Sequence, residues 1–209
     1  MLPRWFSLPL LALLLAALAG EVAYLYWRDH QPKENPYDPI IAAVARDNDV
    51  DPFLIRALIW RESRFEPQTH GAADEHGLMQ VIPAVGEDWA KARKIPNFQA
   101  DDLYDPTTNI RVGTWHLARS IRLWNEANVD DPIPFALAEY NAGRKNALKW
   151  VDPDDPKDHN AFMNRITFPS TRLYVEKILA MRDEYRIEFA NNRWYREFST
   201  ANSAMTQAP

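Results

Sequence analysis

Glu62 stands where a catalytic acid would be placed. Asp51 and Pro52 open a helix as an N-cap and a first-turn proline. The apolar spacing then runs Ile55, Leu58, Ile59, and its next step lands on Glu62. A carboxyl facing an apolar wall loses hydration, and its pKa rises toward the pH at which it can donate a proton. The plain alternative is a helix-end glutamate paired with Arg61 or Arg64.

Metal chemistry finds weaker support. Asp47, Asp49 and Asp51 have the odd-position spacing of a calcium loop, but Pro52 stands where glycine is needed and Leu58 where the terminal glutamate belongs. Asp152, Asp154, Asp155 and Asp158, with His159, read as an acidic, solvated loop. His70 and His76 are too few for a zinc site and lack a partner motif. No metal and no cofactor is expected.

The elements that must position Glu62 are announced by four Asp-Pro pairs: Asp38-Pro39, Asp51-Pro52, Asp105-Pro106 and Asp131-Pro132. Each reads as an N-cap plus the first helical residue. Short apolar stripes follow at Ile40, Ile41, Val44 and Ala45, and at Ile133, Ala136, Leu137 and Tyr140, the latter stopping at Asn141-Ala142-Gly143. A longer helix is sketched by Ile110, Gly113, Trp115, Leu117, Ile121 and Trp124, and a last one by Leu173, Val175, Ile178, Leu179 and Met181 from near Pro169. No run alternates with period two long enough for a sheet. The fold class expected is all-α.

The chain of 209 residues has room for one ordinary domain plus an extension at each end. A net charge of -5 argues against a nucleic-acid surface and gives no attractive field toward an anionic polymer. The absence of cysteine removes disulfides, thiolate metal sites and a Cys nucleophile. Residues 1–27 read in two ways. Leu8 to Trp27 is a membrane anchor with Tyr24, Tyr26 and Trp27 as an interfacial belt, or Leu8 to Leu18 is a signal segment cut after Ala17 and Ala19. Either reading exports the rest: a linker over 28–37, a domain over 38–190 and a tail over 191–209.

Four segments carry a resemblance. They are Ala57-Leu58-Ile59-Trp60-Arg61-Glu62-Ser63, Gly77-Leu78-Met79-Gln80-Val81-Ile82-Pro83, Ala138-Glu139-Tyr140-Asn141-Ala142-Gly143 and Ser170-Thr171-Arg172-Leu173-Tyr174-Val175. In wording, order and spacing they resemble the soluble-lytic (SLT) type of lytic transglycosylase domain, in the lysozyme-like superfamily. That resemblance implies a helical lysozyme-like fold with a groove for peptidoglycan strands, in the periplasm and on the inner membrane if the N-terminal helix stays. It implies cleavage of the β-1,4 bond between N-acetylmuramic acid and N-acetylglucosamine without water, leaving a 1,6-anhydro end. By position Glu62 is the acid and then the base. The resemblance carries Met79, Gln80, Tyr140, Asn141 and Tyr174 over as substrate-side residues. Each has a plainer reading: packing for Met79, a core tyrosine for Tyr140 and Tyr174, a helix C-cap for Asn141.

Three departures from the family pattern stand out. Gly71 replaces a frequent serine, Asp74-Glu75-His76 replaces a commoner small pair before the Gly-Leu-Met-Gln string, and Ser170 replaces a glutamate placed to meet the stem peptide. A pair of carboxylates near the cleft raises a rival, a hydrolytic muramidase in which Asp74 or Glu75 holds a water. A second rival is a wall-binding or secretion-associated scaffold without turnover.

Overall fold

The computed structural model describes residues 34–190 together with Leu15, Ala17, Leu18, Gly20, Glu21 and Val22, which are helical. The chain divides into two units, Met1–Glu34 and Asn35–Pro209. The anchor or signal expected over 1–27 lies largely outside the described residues, as do most of the linker over 28–37 and the tail over 191–209. Among the described residues no helix is long and apolar enough to cross a membrane.

The described residues of the second unit are mainly helical, as expected. Its elements are α1 (Asp38–Asn48), α2 (Pro52–Ser63), α3 (Pro83–Arg93), a 3-10 turn (Ala100–Tyr104), α4 (Pro106–Glu126), α5 (Pro132–Ala142), α6 (Arg144–Trp150), α7 (His159–Arg165) and α8 (Pro169–Glu188). Among the described residues there is no strand, only isolated antiparallel bridges joining His70 to His76 and His76 to Val81.

Three of the Asp-Pro pairs cap as read. The Asp51, Asp105 and Asp131 carboxylates accept from the backbone N–H of Phe53 at 2.9 Å, Thr108 at 2.7 Å and Ile133 at 2.9 Å. Asp38 does not: it is the first residue of α1, with Tyr37 as the N-cap. Its carboxylate accepts from Asn35 N–H and forms a buried ion pair with Arg56 of α2. The Arg56 guanidinium also lies against the rings of Phe65, Tyr185 and Phe189, 4.7 to 5.5 Å from their centres. A buried charge needs such a partner, because breaking a buried pair costs about 3–5 kcal/mol.

The stripe expected on α2 understates its burial: Pro52 through Ile59 are all buried. The helix is flanked by α1 and α8, so apolar residues are needed nearly all round. α5 is comparable, with Pro134 through Glu139 buried between α4 and α8. On α8 the buried set is Thr171, Tyr174, Val175 and Ile178, while Leu173 is 48 % exposed. Leu173 and Val175 are two residues apart, on opposite sides of a helix, so one of them had to face water. The acidic stretch read as a loop ends in a helix, because Asp158 caps α7 by accepting from Asn160 N–H at 2.7 Å. That helix is held by Phe162, fully buried and stacked on Phe135 at 4.0 Å.

Candidate active site

α2 ends abruptly. Arg64 and Phe65 both adopt left-handed backbone angles, φ 53° and 65°, and the Arg64 N–H closes the last turn on the Trp60 carbonyl. Glu62 thus sits in the final turn, near the negative end of the helix dipole, where a carboxylate is disfavoured. Next to it, Ser63 donates to the Leu78 carbonyl at 2.8 Å. That bond fastens the helix end to the Gly77-to-Val81 segment.

A single buried asparagine shapes this segment. Asn109 of α4 accepts from Met79 N–H and donates to the carbonyls of His76 and Leu103, each at 2.7 Å. Gly77 allows this approach: its φ is +72°, and a Cβ there would lie 2.4 Å from both Asn109 Nδ2 and the Leu103 oxygen. Gly113 plays a similar part on α4, where a Cβ would lie 2.6 Å from Met79 Sδ.

Two tyrosines from different helices converge on Glu62. Tyr174 of α8 donates its hydroxyl to Glu62 Oε1 at 2.5 Å, and its ring lies 5.3 Å under the Arg61 guanidinium. Tyr140 of α5 donates to the Met79 carbonyl at 2.8 Å. Burial, and then the Glu62 charge, holds both phenols well above their ordinary pKa, so they act as hydrogen-bond donors. Burial pushes the Glu62 carboxyl up to about 7, against the Tyr174 hydroxyl and Arg61, which lower it, and with a smaller upward push from Glu75. A carboxyl poised there can give a proton at neutral pH and take one back.

Glu62, Gln80, Tyr140 and Asn141 line one cleft of about 460 Å³, with Glu75 among them and Val81, Ile82 and Val85 as an apolar wall. Gln80 directs its amide N–H groups to the carbonyls of Thr69 and Gly77, at 3.1 and 2.9 Å, which leaves its oxygen as the acceptor available to a ligand. Asn141 accepts from the Thr171 hydroxyl at 2.8 Å, tying α5 to α8. Met79 is not among the lining residues: it is fully buried, packed on Gly113, and reaches the cleft only through the carbonyl that holds Tyr140. Tyr174 is likewise buried and reaches the site through its hydroxyl.

Other cleft residues escaped the sequence reading. His116 lies against Tyr140, ring centres 5.3 Å apart, and burial lowers its pKa, favouring the neutral imidazole. Glu139 accepts from the Trp124 indole at 2.9 Å and from Arg144 at 2.7 Å. A polar residue on an apolar helix face, as Asn109 beside Ile110 and Gly113, was the signal available for the first group of contacts.

Two of the three departures from the family pattern are linked. The place a serine Cβ would take at position 71 is filled by the Glu75 carboxylate, whose Oε2 would be 2.2 Å from it. Ala73 N–H donates to that oxygen at 2.8 Å. Asp74 is not among the lining residues and meets His76 at 3.0 Å and His70 at 3.9 Å, so the two histidines do have a third partner.

This arrangement, a helical domain with the partly buried Glu62 lining a cleft and bonded to a buried tyrosine, is that of the lysozyme-like class. Residues 38–163 match the family model described as the Transglycosylase SLT domain, and the chain belongs to that family. It is 29% identical over 175 residues to the soluble lytic murein transglycosylase of Salmonella typhimurium, covering 82% of this chain and 26% of that protein. It is 34% identical over 165 residues to the membrane-bound lytic murein transglycosylase C of Actinobacillus pleuropneumoniae, covering 71% and 45%. Among solved structures, the 70 kDa soluble lytic transglycosylase of Escherichia coli superimposes with a TM-score of 0.63 at 27% identity, over 72% of this chain and 24% of that one. The chain spans about a quarter of the length of the soluble relatives it matches.

Proposed function

We propose that this domain is a peptidoglycan lytic transglycosylase that cuts the β-1,4 bond between N-acetylmuramic acid and N-acetylglucosamine and leaves a 1,6-anhydro end. Glu62 gives its proton to the glycosidic oxygen as the C1–O bond breaks. The resulting carboxylate takes the proton of the muramic C6 hydroxyl, whose oxygen closes on C1. Atoms balance without water, and Glu62 returns to its starting state.

The observation that carries this reading is the Tyr174 hydroxyl donated to Glu62, a carboxyl that burial pushes up to about 7. One group can serve as acid and then base only if neither form is too stable. The Tyr174 donor supports the anion that appears midway, while burial supports the acid at the start. The substrate's own N-acetyl carbonyl is the natural second partner at C1, so a paired enzyme carboxylate is not needed. Tyr140, Gln80 and Asn141 are assigned to holding the sugars, with Met79 setting Tyr140.

The relatives named as murein transglycosylases support peptidoglycan as the substrate, and the one named membrane-bound supports work in the cell envelope. The N-terminal apolar run is the element proposed to take the domain there, through the inner membrane if it is retained. The test is mass spectrometry of material released from purified sacculi by the full chain and by Glu62→Gln. Anhydro-muramic ends from the first and none from the second are expected. Release by both would remove Glu62 from the reaction, and release by neither from a folded chain would favour a binding scaffold.

A further inference from the structure

We propose that His70, Asp74 and His76 form a site for one divalent transition-metal ion of the zinc type, which fastens the turn that carries Glu75 into the cleft. One ligand atom from each of the three lies within 4.8 Å of the others. Asp74 Oδ1 is 3.0 Å from His76 Nε2 and 3.9 Å from His70 Nε2. Ligand atoms about 2.1 Å from a tetrahedral ion stand roughly 3.4 Å apart, so a small inward swing of His70 completes three ligands and leaves an open position. His70 and Asp74 are exposed, while His76 is buried.

The second argument is the hydrogen bonding behind the ligands. His76 Nδ1 faces the Ala100 carbonyl at 3.3 Å, an acceptor for a ring N–H. Its Nε2 faces Asp74 Oδ1 at 3.0 Å, the side on which an ion would join the two. His70 is oriented likewise, with Nδ1 2.9 Å from the Tyr104 hydroxyl, which can donate or accept, and Nε2 toward Asp74. Outer groups that fix the ring and free Nε2 are the usual setting of a metal-bound histidine. His76 is also stacked on Tyr104, ring centres 4.8 Å apart, which keeps it in place.

A second cluster, Asp130, Asp158 and His159, lacks this provision. There the Asp130 carboxylate accepts from the backbone N–H of Asp131 and His159 and meets the His159 ring, and Asp158 is engaged as the α7 cap. It therefore serves as the control. The first cluster lies in the turn between Thr69 and Val81, where the Gly71 N–H reaches the Glu75 carbonyl at 2.7 Å. An ion bridging residues 70, 74 and 76 would hold that turn shut beside Glu62.

The experiment is calorimetric titration of the untagged, chelator-stripped full chain with zinc chloride, and with cobalt chloride followed by visible absorption. Wild type, His70→Ala, Asp74→Asn and Asp130→Asn are compared, with far-UV circular dichroism to verify folding. One ion per wild-type chain is expected, with affinity reduced about tenfold or more in His70→Ala and in Asp74→Asn and unchanged in Asp130→Asn. All three altered residues are exposed, so folding should be preserved. Equal affinity in wild type, His70→Ala and Asp74→Asn, or no binding at all, would overturn the site and leave His76 and Asp74 as a proton-bridged pair. Neither result bears on the transglycosylase reading.

Discussion

Removing the Tyr174 hydroxyl tests the electrostatics of the site. Tyr174→Phe keeps the buried ring beneath Arg61 and deletes only the donor to Glu62 Oε1. A hydrogen bond to a charged group contributes about 1.5–3 kcal/mol. At about 1.4 kcal/mol per pKa unit, its loss raises the Glu62 carboxyl by about 1–2 units from its value near 7. The sign follows from which form is bonded. The hydroxyl supports the carboxylate, so without it the protonated form persists to higher pH. Because the first step needs the proton, the alkaline limb of the pH–rate profile should move upward by the same amount. The rate on the plateau should fall about ten- to hundredfold, since the carboxylate formed midway has lost its donor. The assay is the initial rate of fragment release from sacculi between pH 4 and pH 10, as an order-of-magnitude window around the ordinary and raised carboxyl values. A limb that stays in place, or moves to lower pH, would refute the reasoning.

Glu62→Gln should stabilise the domain in a pH-dependent way. A carboxyl raised from 4.5 to about 7 on folding binds its proton more tightly in the native state, so wild type loses stability as pH rises through that interval. The variant does not, and its advantage should grow by about 3 kcal/mol at most between pH 4 and pH 8, read as a widening difference in urea midpoints. A constant difference across that range would contradict the shift. Gly71→Ala puts a methyl 2.2 Å from Glu75 Oε2 and 2.8 Å from Gln80 Oε1, both at the ends of flexible side chains. It should lower activity in the wild-type background and cost little beside Glu75→Ala, a coupling of about 1 kcal/mol in a double-mutant cycle of rates. Additive effects would separate the two positions. Gly113→Ala drives a Cβ into Met79, 2.6 Å from Sδ, at a cost of about 1–3 kcal/mol less the roughly 1 kcal/mol a helical alanine gains over glycine. Lower thermal stability together with lower activity is expected, because Met79 sets Tyr140; unchanged activity would detach Met79 from the cleft.

The parts of the fold legible in the sequence are those governed by neighbours along the chain. Asp51, Asp105 and Asp131 cap because a carboxylate two or three residues before a free N–H needs nothing else. Asp38 has the same local pattern but spends its charge on Arg56, 18 residues away, which no local reading reveals. The apolar step that reaches Glu62 was visible. The partner that tunes it, Tyr174, lies 112 residues further on and was found only through the family strings. α3 shows no stripe in the sequence because it buries only Gly86, Trp89 and Ala90. His70 and His76 read as a bare pair in the sequence because only the folded turn from Thr69 to Val81 brings Asp74, still exposed, beside both.

The account's central claim is that Glu62 alone supplies and recovers the proton while no water enters the product. Digestion of purified sacculi by the full chain in water enriched with oxygen-18 tests it most directly, with fragments analysed by mass spectrometry. Unlabelled anhydro-muramic ends, absent with Glu62→Gln, are the predicted result. Reducing ends carrying oxygen-18 would contradict the claim and make water the nucleophile, with Glu75 a second cleft carboxylate to hold it.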